Sequence, residues 1–166
     1  MSAGATPAPL VLRPMREHDL VQVMEIELRA YEFPWTSGIF ADCLRAGYSC
    51  WSLLDDERLL GYGIMTMALD EAHVLNLCVD PPRHRRGHAQ QLLDHLVEVA
   101  HGRGASRVFL EVRPSNLPAR RLYARNNFVQ IAVRRGYYPA QEGREDAWVL
   151  SRRLDQAFGR EARSAG

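Results

Sequence analysis

The sequence predicts a single α/β domain with a mixed, mostly antiparallel sheet. Three observations carry that expectation. Short apolar runs of strand type alternate with helical stretches in the order β-α-α-β-β-β-α-β-α-β-β. One helical stretch, residues 87–102, joins the run Leu75–Val79 to the run Val108–Val112, a strand–helix–strand crossover that makes a parallel pair among antiparallel neighbours. The length of 166 residues, with 46% hydrophobic and 25% charged side chains, suits one globular core and excludes wholesale disorder.

Each element has its own justification. Residues 1–9 are rich in Ala, Pro and Gly and are expected to be flexible, with the folded domain spanning 10–154 and a charged, flexible tail at 155–166. Leu10 to Arg13 alternates like a short strand. Leu20, Val23, Met24, Glu27 and Leu28 recur at helical spacing, which predicts a helix over 17–31, with Glu17 and Asp19 in a first turn whose dipole favours acidic groups. Phe33-Pro34-Trp35 breaks it, and Thr36 is placed to cap a second helix running to about Arg45. Strands follow at 48–54, 58–67 and 71–79, the first two parted by the polar turn Asp55-Asp56-Glu57. Pro81 and Pro82 stop the sheet pattern. Leu92, Leu93, Leu96, Val97 and Ala100 line one face of a helix that Gly102 and Gly104 end. Val108–Val112 is a short buried-type strand. Asn116 is placed to cap a helix to about Arg125, with Pro118 in its first turn. Two more strands, 128–135 and 146–153, flank a polar turn.

Composition removes whole classes of chemistry. All 21 basic side chains are arginine, so a Schiff-base lysine and a Walker A loop are impossible, and an ordinary kinase would lack its phosphate-pairing lysine. Charge is lopsided: residues 1–80 hold 5 arginines against 12 acidic residues, and residues 81–166 hold 16 against 8. That pattern suggests an acidic and a basic partner surface. Cys43, Cys50 and Cys78 are odd in number and lack metal-ligand spacing, so they read as reduced thiols of a cytoplasmic protein. The first residues lack a secretory pattern, the longest uncharged apolar run is too short to span a bilayer, and neither membrane nor metal is expected as a partner.

Two segments carry the chemistry. In Val79-Asp80-Pro81-Pro82-Arg83-His84-Arg85-Arg86-Gly87-His88-Ala89 a strand ends, a basic loop follows and a helix begins. Unpaired N–H groups at a helix start, small residues at 87 and 89, and three nearby guanidinium groups make a cradle for phosphate or pyrophosphate. The second segment is Phe109-Leu110-Glu111-Val112-Arg113-Pro114-Ser115-Asn116, continuing through Tyr123 to Phe128. Glu111 interrupts an apolar strand, where a carboxylate is costly unless paired or useful. Taken singly, Glu111 could be one half of a salt bridge, Asn116 a helix cap and Tyr123 a core aromatic.

Together these segments resemble the acetyl-CoA-dependent N-acetyltransferase (GNAT) superfamily. His84-Arg85-Arg86-Gly87-His88-Ala89 looks like its Q/R-x-x-G-x-G/A loop. Phe33-Pro34-Trp35-Thr36, Leu110 to Asn116, Leu122-Tyr123, Arg134-Arg135-Gly136-Tyr137-Tyr138-Pro139 and Glu145-Asp146-Ala147 resemble the RimI-type N-terminal alanine acetyltransferases of ribosomal proteins. The departures are His84 for Gln or Arg, His88 for an apolar residue, and Asn127 for the Gly before Phe128. The resemblance implies the GNAT fold, with a splayed central parallel strand pair and helices on both faces. It implies acetyl-CoA as co-substrate and the N-terminal peptide of a ribosomal protein as partner, with no direct nucleic-acid contact. The backbone of Leu77, Cys78 and Val79 would hold the pantetheine arm, Arg85, Arg86, Gly87, His88, Ala89 and Gln90 the pyrophosphate, and Asn116 would hydrogen-bond the cofactor. Glu111 would be the general base and Tyr123 the acid, with Phe33, Trp35, Tyr137 and Tyr138 around the acceptor. Two alternatives stay open: a lysine or small-molecule amine as acceptor, and an Arg-rich RNA-binding module.

Overall fold

The computed structural model describes residues 9–154. The segments expected to be flexible, 1–9 and 155–166, lie outside the described residues apart from Pro9. The strands are β1 (Val11–Pro14), β2 (Ser49–Asp55), β3 (Arg58–Ala68), β4 (Glu71–Val79), β5 (Arg107–Val112), β6 (Val129–Pro139) and β7 (Arg144–Arg153). The helices are α1 (Leu20–Ala30), α2 (Ser37–Arg45), α3 (His88–Gly102) and α4 (Leu117–Arg125), with 3-10 turns at Glu17–Asp19 and Pro81–Arg83. This is the element order expected from the sequence.

The strands form one mixed sheet in the order β1-β2-β3-β4-β5-β7-β6. β4 and β5, joined by the α3 crossover, are parallel, with His73 opposite Phe109. β7 inserts antiparallel between β5 and β6. The registered β4–β5 partners end at Val74 and Leu110, although β4 runs on to Val79 and β5 to Val112.

Packing groups the chain into two compact units, residues 9–64 with 77–92, and residues 65–76 with 93–154. In the first, Leu53, Leu60, Val79 and Leu92 form a buried cluster, with Leu10, Leu12, Leu77 and Ala89 packed on it. Phe40 meets Tyr62 edge-on at 5.6 Å between ring centroids. Asp19, 2% exposed, receives both Arg13 guanidinium N–H groups, the Arg16 N–H and the Ser52 hydroxyl. In the second unit Val108, Leu110 and Val112 are buried while Arg107, Phe109 and Glu111 alternate with them on the less buried face. The predicted α3 stripe of Leu92, Leu93, Leu96, Val97 and Ala100 is buried throughout.

Two boundaries differ from expectation. The first helix is a 3-10 turn followed by α1, and its buried residues are Val23, Ile26 and Glu27, with Leu28 63% exposed. β6 continues past residue 135 to Pro139. A register shift between Arg134 and Tyr138 absorbs Gly136, which adopts φ 58° and donates its N–H to Asp146.

Candidate active site

The basic loop of the first unit is shaped by two left-handed residues, Arg85 (φ 65°) and Gly87 (φ 80°). The Gly87 carbonyl accepts the Gln91 N–H, so α3 begins there and its positive dipole end faces the basic loop. The buried Arg83 Nε has no hydrogen-bond partner among the described residues. Burial, aided by the Arg86 and Arg83 charges, pushes the His88 pKa down, favouring a neutral ring. These donors fit a phosphate or pyrophosphate group. His84, in the position where the family pattern has Gln or Arg, donates Nε2–H to the Val79 carbonyl at 2.8 Å and pins the loop to the end of β4.

The carbonyl of Leu77, on the same strand, accepts the Tyr31 hydroxyl at 3.4 Å. Cys78 is buried, and burial pushes its thiol up to about 12 despite a hydrogen bond with Tyr62 that pulls the other way. It is a protonated thiol at neutral pH, not a nucleophile. The α1–α2 loop holds Phe33, 42% exposed, and Trp35, whose N–H is accepted by Glu27 at 3.1 Å and whose ring meets Phe40 at 5.2 Å. Glu27 also accepts the Tyr62 hydroxyl and is itself only 1% exposed. Its place in the apolar helical pattern is therefore that of a buried polar anchor for the loop, and its charge does not belong to an acidic surface.

In the second unit Glu111 has 11% side-chain exposure. His73 Nε2 lies 2.5 Å from Oε2, and Arg134 donates to Oε1 at 3.4 Å. Burial raises the carboxyl pKa, but the His73 and Arg134 contacts outweigh it and the net shift is downward. Glu111 is a carboxylate at neutral pH, both paired and able to accept a proton. Arg134 also lies over the Tyr137 ring at 4.2 Å, and Tyr137 meets Tyr138 at 4.9 Å. Burial, with the Glu111 charge next, raises the Tyr138 hydroxyl pKa, and Arg113 stacks on that ring at 4.3 Å. Glu111 and Tyr137 thus share Arg134, while Tyr138 meets Tyr137 and lies under Arg113.

Tyr123 is 7% exposed and packs on Phe128 at 5.7 Å between centroids. Asn127 between them in sequence takes φ 66°, the left-handed conformation that glycine would otherwise supply. Asn116 caps α4 through Oδ1, which accepts the Ala119 N–H at 3.3 Å. Glu145 accepts the Ser115 N–H and hydroxyl and an Arg113 N–H, fixing the turn that presents Asn116. Among the described residues no group of three or more His, Cys, Asp or Glu could hold a metal ion, and no helix is long and apolar enough to cross a membrane.

Residues 20–128 match the acetyltransferase (GNAT) family. The chain belongs to that family. It is 38% identical over 133 residues, 80% of its own length and 90% of the relative's, to the [ribosomal protein bS18]-alanine N-acetyltransferase of Escherichia coli K12. A putative enzyme of the same description from Bacillus subtilis is 30% identical over 84% of this chain and 92% of its own. The crystal structure of the E. coli ribosomal-protein-S18-alanine N-acetyltransferase superposes with TM-score 0.83 at 34% identity, covering 89% of this chain and 96% of that one. Arabidopsis NAA60 in complex with a bisubstrate analogue shares the fold, with TM-score 0.80 at 21% identity over 87% and 98% of the chains. This GNAT chain also uses residues that sequence reading passed over. His73 is one histidine in a strand pattern and gave no signal. Glu27 reads as a helical-face position in the acidic half of the chain, and Gly61 as one more strand residue.

Proposed function

We propose that this chain transfers the acetyl group of acetyl-CoA to the N-terminal α-amine of a protein, namely the N-terminal alanine of ribosomal protein bS18, in the cytoplasm and without membrane or direct nucleic-acid contact. The observation that carries the substrate is the 38% identity to the bS18-alanine enzyme over 90% of that enzyme's length. The arginine-bearing loop and the helix start that follows it support an anionic co-substrate.

In this reading the backbone of Leu77, Cys78 and Val79 lines the pantetheine arm. Arg85, Arg86, Gly87, His88, Ala89 and Gln90 receive the pyrophosphate, and Asn116 adds a polar contact. Phe33, Trp35, Tyr137 and Tyr138 frame the acceptor peptide. Glu111 takes a proton from the α-amine as its nitrogen forms a bond to the acetyl carbon. As the carbon–sulfur bond breaks, Tyr123 gives its hydroxyl proton to the departing thiolate. An α-amine titrates near pH 7.7–8.0, about two and a half units below a lysine side chain, so one carboxylate suffices as base. The high thiol pKa of Cys78 supports direct transfer with no acyl-enzyme.

The test is an acetyl-CoA assay on peptides beginning Ala, Ser, Met and Gly, with an N-blocked peptide carrying an internal lysine. The Ala peptide of bS18 is expected to be the best acceptor. Glu111→Gln and Tyr123→Phe should each lower kcat by about 10²–10⁴-fold. Equal use of the lysine peptide would overturn the α-amine assignment, and turnover within a few-fold of wild type in either variant would overturn that residue's role.

A further inference from the structure

We propose that His73 is a positioning residue for Glu111: its ring holds the carboxylate in the orientation from which it acts as the base. The proposal rests on the reading of Glu111 as the base. His73 stands opposite Phe109 in the parallel β4–β5 register, and side chains alternate along a strand, so Glu111, two residues beyond Phe109, shares its face. The result is the 2.5 Å contact from Nε2 to Oε2. The other polar neighbour, Arg134, is 3.4 Å away and is also engaged with the Tyr137 ring. His73 is therefore the short contact that selects the carboxylate's orientation.

Exposure separates the two partners. The His73 side chain is 35% exposed and that of Glu111 only 11%, so the carboxylate is the less solvated of the pair and depends more on its protein partners. The charged and titratable groups around the pair are Arg134 and Tyr138 from β6, with Arg113 and Glu145 beyond Tyr138, and Glu71 opposite Arg107 at the far end of the register. Glu111 is held toward its ionised form and Tyr138 toward its neutral form. The ring N–H on Nε2 donates to Oε2, and loss of that donor should lower turnover by letting the carboxylate turn away.

The experiment compares kcat and KM with acetyl-CoA and the Ala peptide at one pH for wild type, Glu111→Gln, His73→Gln and His73→Phe. His73→Gln can still donate to Glu111 and should keep kcat within about threefold. His73→Phe removes the donor and should lower kcat by up to about 10²-fold, with the KM for acetyl-CoA unchanged, as expected for a misplaced catalytic group. If Glu111→Gln turns over like wild type, the base assignment itself fails and this proposal fails with it. If Glu111→Gln is inactive but His73→Phe turns over normally, or His73→Gln falls as far as His73→Phe, the role of His73 alone is overturned.

Discussion

Gly61 on β3 runs so close to Cys78 on β4 that a β-carbon at position 61 would lie 2.6 Å from the Cys78 carbonyl oxygen. It would also stand 3.2 Å from both the Val79 Cα and the Leu92 Cδ1. The first of these contacts is backbone and cannot rotate away. Gly61→Ala must therefore displace the end of β4, the strand assigned to the pantetheine arm. The expected outcome is a loss of about 1–3 kcal/mol of stability, the usual cost of overpacking, together with a higher KM for acetyl-CoA. Wild-type values of both, by thermal melt and steady-state kinetics, would show that β4 does not need this approach.

The three thiols should be inert in the folded protein. Burial raises all three, Cys50 and Cys78 to about 12, so almost none is thiolate at neutral pH. Iodoacetamide at pH 7.5 should label none of them natively and all of them after denaturation, read by intact mass. Cys78→Ala should keep kcat within a few-fold, and no acetyl adduct should accumulate on Cys78 during turnover.

Asp19 gives the fold a defined acid sensitivity. Burial raises its pKa, but the Arg13 fork and the Arg16 and Ser52 bonds outweigh that and hold it at about 2, against 3.8 for the free group. A lowered folded-state value stabilises the protein above the unfolded pKa and is lost as pH falls through the folded one. The window is therefore about pH 4 down to pH 2, and the contribution at pH 7 is about 2 kcal/mol. Asp19→Asn should lose at least that much at pH 7 and flatten the stability profile across the window, as denaturant melts would show.

Removing the His84 ring frees the basic loop from the Val79 carbonyl. A neutral hydrogen bond of this kind contributes about 1 kcal/mol, or roughly fivefold in binding. His84→Ala should raise the KM for acetyl-CoA by about that factor while kcat stays near wild type. A fall in kcat with unchanged KM would mean that the ring serves the chemistry and not the loop.

Element order, the parallel crossover and both helix caps at Thr36 and Asn116 were legible because each follows from local chemistry: periodicity, a capping side chain, a proline. The α1 face was misread for the same reason. Leu28 and Glu27 share the face of the helical pattern, yet Leu28 is exposed, and Glu27 is buried because the Tyr62 hydroxyl, 35 residues on, and the Trp35 backbone, 8 residues on, supply its donors. The Glu111 pairing was half legible. An arginine partner was foreseeable in so Arg-rich a chain, but the nearer partner is His73, 38 residues earlier, brought in by strand register alone. Gly61 matters through a backbone on the neighbouring strand, which no local pattern encodes.

Three cations of the second unit lie over aromatic rings: Arg113 over Tyr138, Arg120 over Trp148 and Arg134 over Tyr137. A lysine could make a similar contact, but its amine would itself be an acceptor for a reactive thioester. With guanidinium groups in every such place, and no ε-amine anywhere in the chain, the protein presents its own acyl donor with positive charge but no lysine nucleophile. Stored with that donor, it should not lose activity through acylation of its own lysines, a route of self-inactivation open to a lysine-bearing relative.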